Sequence, residues 1–69
     1  MSKEMLGFQA RVVEEYDQLV LKINALEEFI KGGVFENLDA RQQGLLIAQL
    51  DAMGAYAHVL ATRISYFGE

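Results

Sequence analysis

The sequence contains no cysteine, no proline and no tryptophan among its 69 residues. The absence of cysteine excludes disulfide bonds, thiolate metal sites and cysteine nucleophiles. Without proline, the chain lacks the residue that most strongly breaks the interior of a helix. A chain of this length forms one small domain, and such a domain usually needs a disulfide, a metal or a partner subunit to be stable.

Positive charge and long apolar runs are also scarce. Six Lys and Arg residues stand against ten Asp and Glu residues, which gives a net charge of −4. Because binding to duplex nucleic acid requires clustered positive charge, we expect none here. The longest apolar run, Leu45 to Ala48, is far shorter than a membrane span, and the N-terminal residues do not resemble a signal peptide. We therefore expect a cytoplasmic protein that does not bind a membrane.

Apolar residues make up 52% of the chain and recur with helical spacing. Steps of three and four residues alternate along two segments, as in an amphipathic helix with a heptad-like apolar seam. The first seam comprises Met5, Val12, Tyr16, Leu19, Ile23, Leu26 and Ile30. The second comprises Leu46, Leu50, Met53, Ala57, Leu60, Ile64 and Phe67. The spacing predicts helices over about 4–31 and 40–67, each roughly 40 Å long.

The segment between these helices, 32–38, is predicted to be a turn. Lys31 and the glycines after it are typical of a helix end, with glycine in the left-handed conformation. Asp39 is a good N-cap for the second helix, and Gln42 would complete a capping box. A short connection between two helices favours an antiparallel hairpin. The fold class predicted for residues 1–69 is therefore all-α, as a single two-helix domain.

Further apolar residues lie outside the two seams. They are Leu6, Val13, Val20, Leu21, Leu45, Ile47, Ala52, Tyr56, Val59 and Tyr66. A patch of this size is larger than soluble monomers usually expose. The positions Ile47, Gly54, Ala61 and Gly68 lie seven residues apart, with Ala48 and Ala55 beside them, and form a strip of mostly small residues that a second helix could approach closely. We therefore expect a symmetric homo-oligomeric helical bundle, either a dimer or a tetramer.

Residue types suited to metal binding or catalysis are few. His58 is the only histidine, and Ala55 stands where the Glu-x-x-His pair of a di-iron bundle needs glutamate. Glu14, Glu15 and Asp17 are typical of a solvated helix face. No phosphate-binding loop or paired nucleophile and base is present. We expect no metal, no cofactor and no catalytic residue, and hence a protein that is not an enzyme.

Recognition of a small ligand is better supported. If the turn is centred near Phe35, residues whose numbers sum to about 71 lie side by side, which brings Tyr16 level with Tyr56. Tyrosines can stack on a nucleobase and arginines can bind phosphate through two hydrogen bonds. The candidate ligand-binding residues are Arg11, Tyr16, Tyr56, His58 and Arg63. The alternative is that the tyrosines pack in the core and Arg63 pairs with a surface acid.

Two segments carry a resemblance to a known family: "ARVVEEYDQLVLKINALEEFI" and "FENLDARQQGLLIAQLDAMGAYAHVLATRI". Together they resemble a widespread family of very small phage and prophage proteins, first named from a gut crAss-like phage. In the first segment the matching positions are Arg11, Val12, Glu15, Tyr16, Leu19, Leu26, Phe29 and Ile30. In the second they are Phe35, Leu38, Leu45, Leu46, Gln49, Leu50, Met53, Tyr56, Leu60, Arg63 and Ile64.

The resemblance implies an accessory phage protein that acts in the host cell. Phage proteins of similar build include sponges that sequester the cyclic nucleotide signals of bacterial immunity. By analogy, we expect a non-enzymatic protein that sequesters a small anionic ligand such as a cyclic nucleotide. The alternative is an interaction module that binds or inhibits a host protein. Convergence of Arg11, Tyr16, Tyr56 and Arg63 on a cavity would favour the sponge, and their dispersal over the surface would favour the interaction module.

Overall fold

A computed structural model of the chain describes residues 6–68 and contains only helices within that range. These are α1 (Gly7–Ile30), α2 (Gly33–Glu36) and α3 (Ala40–Ser65). The prediction of an all-α fold is confirmed. The short helix α2 was not predicted, since it lies in the segment expected to be a turn. The predicted start of the first helix, near residue 4, lies outside the described residues.

The start of α3 is fixed by the residue that the sequence indicates. The Oδ1 atom of Asp39 accepts a hydrogen bond from the backbone N–H of Gln42 at 2.8 Å, as expected of an N-cap. The next residue, Gln43, reaches back to the connection. Its Nε2 atom donates to the carbonyl oxygen of Phe35 at 2.9 Å, and this bond ties the first turn of α3 to α2.

The predicted left-handed glycine cap after α1 is wrong. Gly32 has φ −93° and ψ 173°, which is extended backbone, and no glycine within residues 6–68 has a positive φ. Lys31 instead stays near the right-handed helical region, and its N–H still reaches the carbonyl oxygen of Glu27. The N–H of Gly32 then bonds to the carbonyl oxygen of Phe29 at 3.1 Å. Because this tight right-handed turn leads directly into α2, no left-handed residue is needed.

Helices α1 and α3 pack against each other in antiparallel directions. Phe8, near the start of α1, contacts Phe67, just beyond the end of α3, edge to face with ring centroids 6.1 Å apart. The buried core consists of Val12, Leu19 and Leu60. Half-buried apolar residues surround it: Tyr16, Ile23, Met53, Ala57, Ile64 and Phe67. All of these belong to the two predicted seams, so the spacing correctly identified the faces that meet.

The structure is long and thin, with extents of 52 × 17 × 15 Å. Ten large apolar residues are between 39% and 63% exposed. They are Leu6, Phe8, Leu21, Phe29, Val34, Leu45, Ile47, Tyr56, Val59 and Tyr66. A single chain therefore leaves more large apolar side chains at its surface than it buries. This excess is consistent with assembly, which stays a prediction.

Helix α3 has two further properties that bear on assembly. By length and composition alone it could cross a membrane, and little of it is buried within the chain, but one such helix is weak evidence. The small-residue strip lies along its surface: a Cβ atom added to Gly54 would meet nothing within 4 Å. Within a single chain, then, packing does not require glycine at this position.

Candidate functional site

A hydrogen bond between the two long helices marks the candidate site. The hydroxyl of Tyr56, in α3, donates to Oε2 of Glu15, in α1. These residue numbers fit the register predicted from a turn near Phe35. Glu15 is exposed, as expected of a residue on a solvated face, but the sequence analysis did not identify its partner. The predicted register could have identified this contact, because it pairs Tyr56 with Glu15 at least as closely as with Tyr16.

The electrostatics of Tyr56 follow from this contact. The hydrogen bond to Glu15 raises the pKa of Tyr56 above its usual value of 10.0, and partial desolvation and the negative charge of Glu15 act in the same direction. The positive charge of Arg63 lowers the pKa and so opposes them. Opposite charges therefore act on the pKa of Tyr56, and because the net shift is upward, its hydroxyl remains protonated at neutral pH.

Arg63 lies on the same side of α3 as Tyr56. The two are seven residues apart, which is two helical turns or about 10 Å along the axis. Arg63 is exposed, and the salt bridge found within residues 6–68 joins Lys31 to Glu28 rather than involving Arg63. The alternative that Arg63 pairs with a surface acid thus has no support in the described part of the chain. Its guanidinium is available to an anionic ligand.

Arg11 lies one turn before Glu15 on α1 and is also exposed. Its Nη1 atom is 3.7 Å from the place that a Cβ atom would occupy at Gly7, so its side chain runs back toward the start of α1. The contact of Phe8 with Phe67 brings the start of α1 to the end of α3. Arg11 and Arg63 consequently lie at the same end of the helix pair.

Tyr16 and His58 lie elsewhere. Tyr16 is half-buried and packs against the core, about 100° around α1 from Glu15. His58 is exposed and precedes the buried Leu60 by two residues, which puts it about 160° around α3 from the core. Within a single chain the helices therefore bring Glu15, Tyr56 and the two arginines to one side. They do not bring Tyr16 or His58 to that group.

We call Arg11, Glu15, Tyr56 and Arg63 the Tyr56 face. All four residues are exposed, and Tyr56 is 43% exposed, so in a single chain this surface is open. Its guanidinium groups can bind phosphate, its carboxylate can accept hydrogen bonds from hydroxyl or amino groups, and its phenol ring can stack on a base. Within residues 6–68, no group of three or more His, Cys, Asp or Glu side chains is placed to hold a metal ion.

Comparison with known proteins identifies a family. The Sequestin family profile matches residues 6–66. A relative from Enterobacteria phage T4, described as an uncharacterized 7.5 kDa protein in the denB-rIIB intergenic region, is 51% identical over 63 residues, covering 91% of this chain and 98% of that protein. No solved structure matches the chain. The expected resemblance to very small phage proteins is confirmed, with phage T4 rather than a crAss-like phage as the source of the relative.

The family name indicates a sequestering function, and a non-catalytic protein agrees with it. The match spans both long helices and all four residues of the Tyr56 face. This chain therefore belongs to the Sequestin family of small phage proteins.

Proposed function

We propose that the protein binds and sequesters a small anionic ligand, a cyclic nucleotide signal of host immunity, without cleaving it. The observation that carries this proposal is the Tyr56 face in a member of the Sequestin family: an exposed aromatic ring hydrogen-bonded to a carboxylate, with an exposed guanidinium two turns further along the same side of α3. The family name supports sequestration, and the relative in phage T4 supports action inside an infected cell.

Each residue of the Tyr56 face has a distinct role in the proposal. Arg63, with Arg11 at the same end, binds phosphate through charge-assisted hydrogen bonds. The ring of Tyr56 stacks on a base, a contact worth about 1–3 kcal/mol. Glu15 holds the phenol in place and accepts hydrogen bonds from ribose or base. Because its negative charge repels phosphate, the phosphate is expected on the Arg63 side of Tyr56.

The net charge of −4 is compatible with this ligand. A long polyanion interacts with the field of the whole protein, whereas a small ligand needs only local cations. Tyr16 and His58, which lie away from the Tyr56 face of their own chain, contribute in this proposal where oligomer assembly brings them to a ligand.

Calorimetry against a panel of cyclic di- and trinucleotides tests the proposal. The wild type should bind at least one of them, Arg63→Ala should abolish binding while the protein stays folded, and Tyr56→Ala should weaken it. Arg41→Ala is the matched control, because Arg41 is an exposed arginine at the opposite end of α3 and should be dispensable. If the folded wild type binds no nucleotide of the panel, the proposal of a nucleotide ligand is wrong.

The second candidate function is an interaction module that binds or inhibits a host protein. It is favoured by the exposed apolar residues and by the open, rather than enclosed, position of the Tyr56 face. It predicts that a host protein is retained by the wild type and by Arg63→Ala but lost by Leu45→Glu. The nucleotide proposal instead predicts that Arg63→Ala abolishes ligand binding. These variants therefore separate the two functions.

A further inference from the structure

Helix α3 and the turn that follows it carry two adjacent heptad seams. The inner seam, which faces α1, is Leu46, Leu50, Met53, Ala57, Leu60, Ile64 and Phe67. Each position of the second, the outer seam, precedes an inner position by one residue: Leu45, Gln49, Ala52, Tyr56, Val59, Arg63 and Tyr66. All seven outer residues are exposed, over about 32 Å of helix. Steps of four and three residues sustained over this length are typical of a surface that packs against another helix.

We propose that a second copy of the chain packs antiparallel on the outer seam, about a twofold axis near Tyr56. In this dimer Gln49 of the second copy lies beside Arg63 and completes the ligand site. The assignment of the ligand rests on the proposed function, whereas the pairing of the seams does not.

The outer seam is complementary to itself. A twofold axis near Tyr56 places opposite each other the residues whose numbers sum to about 112. Leu45 then faces Tyr66, and the small Ala52 faces the larger Val59. Gln49 faces Arg63, and Tyr56 faces its own copy. Apolar residues meet apolar residues, and the charged residue meets a polar one that can accept its hydrogen bonds.

The direction of pairing follows from Arg63. In a parallel pair each residue would face its own copy, so two Arg63 guanidiniums would repel each other in a partly desolvated interface. In the antiparallel pair Arg63 meets the amide of Gln49 instead. The hydrogen bond found for Gln49 within residues 6–68 is a 3.9 Å contact from Nε2 to Sδ of Met53, a weak acceptor. The amide therefore retains the capacity to bind a ligand or a guanidinium.

The choice of a second copy of α3, rather than α1 of that copy, follows from polarity. The residues that precede Val12, Tyr16, Leu19 and Ile23 of the first seam by one are Arg11, Glu15, Gln18 and Lys22, and all are exposed. Apolar residues take this position only toward the end of α1, at Ala25 and Phe29, within the described residues. An apolar seam is stabilised most by burial against another apolar seam. Because a single chain buries only three core residues within 6–68, this dimer also supplies the apolar burial that so short a chain needs.

The dimer defines the stoichiometry of the site. The two Arg63 side chains belong to residues about 21 Å apart along the helix axis, since each is seven residues from the twofold axis. Each Arg63 therefore forms its own site with the second copy's Gln49, whereas the two Tyr56 rings meet at the twofold axis. One ligand binds per chain, and two bind per dimer.

Disulfide cross-linking tests the pairing without any ligand. Because the chain has no cysteine, each introduced thiol is unambiguous. Mixing Ala52→Cys with Val59→Cys and oxidising should yield a covalent dimer of one chain of each kind, while neither variant cross-links alone. The control is Ile47→Cys, which is exposed on α3 outside the outer seam and should not cross-link. Self-cross-linking of each variant, or no cross-link in a folded mixture, overturns the proposal.

The role of Gln49 is tested separately with the cyclic nucleotide panel. Gln49→Leu should keep the cross-linking pattern of the seam and weaken nucleotide binding about tenfold, as expected for loss of a hydrogen bond to a charged group. Unchanged affinity in this variant overturns the assignment of Gln49 to the site. If the wild type cross-links as expected but binds no nucleotide of the panel, the proposed function fails and the pairing of the outer seams stands.

Discussion

The inner and outer seams of α3 have the same spacing but opposite environments. The inner seam includes Leu60, which is fully buried against α1, whereas Leu45 in the outer seam is 62% exposed. The two seams also differ in composition, since the outer one contains Gln49, Tyr56 and Arg63. Heptad spacing therefore identifies surfaces that can pack, and the available partner decides which of them is buried.

Truncating one leucine of each seam should give the largest effects. Leu60→Ala should lower the free energy of unfolding by about 2–5 kcal/mol, because it leaves a cavity in a core of three buried residues. Leu45→Ala, in the outer seam, should lower the free energy of unfolding by less. The stability of this variant should depend more strongly on protein concentration. Chemical denaturation at several protein concentrations measures both, and equal losses would contradict the distinction between the seams.

A charge in the outer seam should separate assembly from folding. Val59→Glu should convert the dimer to a monomer or a much weaker dimer, because burying an unpaired carboxylate costs several kcal/mol. The matched variant is Ile47→Glu, since Ile47 is 47% exposed and Val59 is 51% exposed on the same helix. Light scattering should show the wild-type mass for Ile47→Glu only. If Val59→Glu also has the wild-type mass, no second chain packs on the outer seam.

The small-residue strip offers a third, smaller contrast. Gly54→Ala should raise the free energy of unfolding by roughly 0.5–1 kcal/mol, since alanine favours the helix interior and the added Cβ meets nothing within 4 Å. Thermal unfolding measures the change. A loss of stability would instead reveal a close approach of another chain at Gly54, as the sequence analysis expected for the strip.

The smallest effect concerns the proton on Tyr56. Its raised pKa means that the hydrogen bond to Glu15 stabilises the fold below about pH 10 and is lost as the pH rises through the raised pKa. The difference in phenolate absorbance between wild type and Tyr56→Phe isolates this titration. In a Glu15→Gln background the midpoint should move back toward 10.0, and an unchanged midpoint would show that Glu15 is not the cause.

Much of the fold was predictable because it depends on periodicity. The seams contain all three buried residues, and Asp39 caps α3 as its side-chain chemistry indicates. Helix α2 was not predictable in this way, since four residues are too few to show a helical period. The conformation of Gly32 depends on how the chain enters α2, so the usual glycine cap was the wrong expectation.

The candidate site was predicted in part. The register placed Tyr56 correctly along α1, but the rotation of each residue about its helix decides which neighbour it meets. Glu15 lies at the edge of the interface and reaches Tyr56, whereas Tyr16, one residue later, turns toward the core. Because His58 stands two residues before Leu60, the sequence already indicated that His58 lies on the side of α3 that faces away from α1.

The central claim is that this protein holds a small anionic ligand intact. Mass spectrometry of the small molecules released on denaturing protein purified from infected cells tests it most directly. We predict an uncleaved nucleotide at about one per chain from the wild type, as expected if each Arg63 forms one site, and none from Arg63→Ala purified in the same way. Release of no nucleotide from the folded wild type, or equal release from both proteins, would contradict the account.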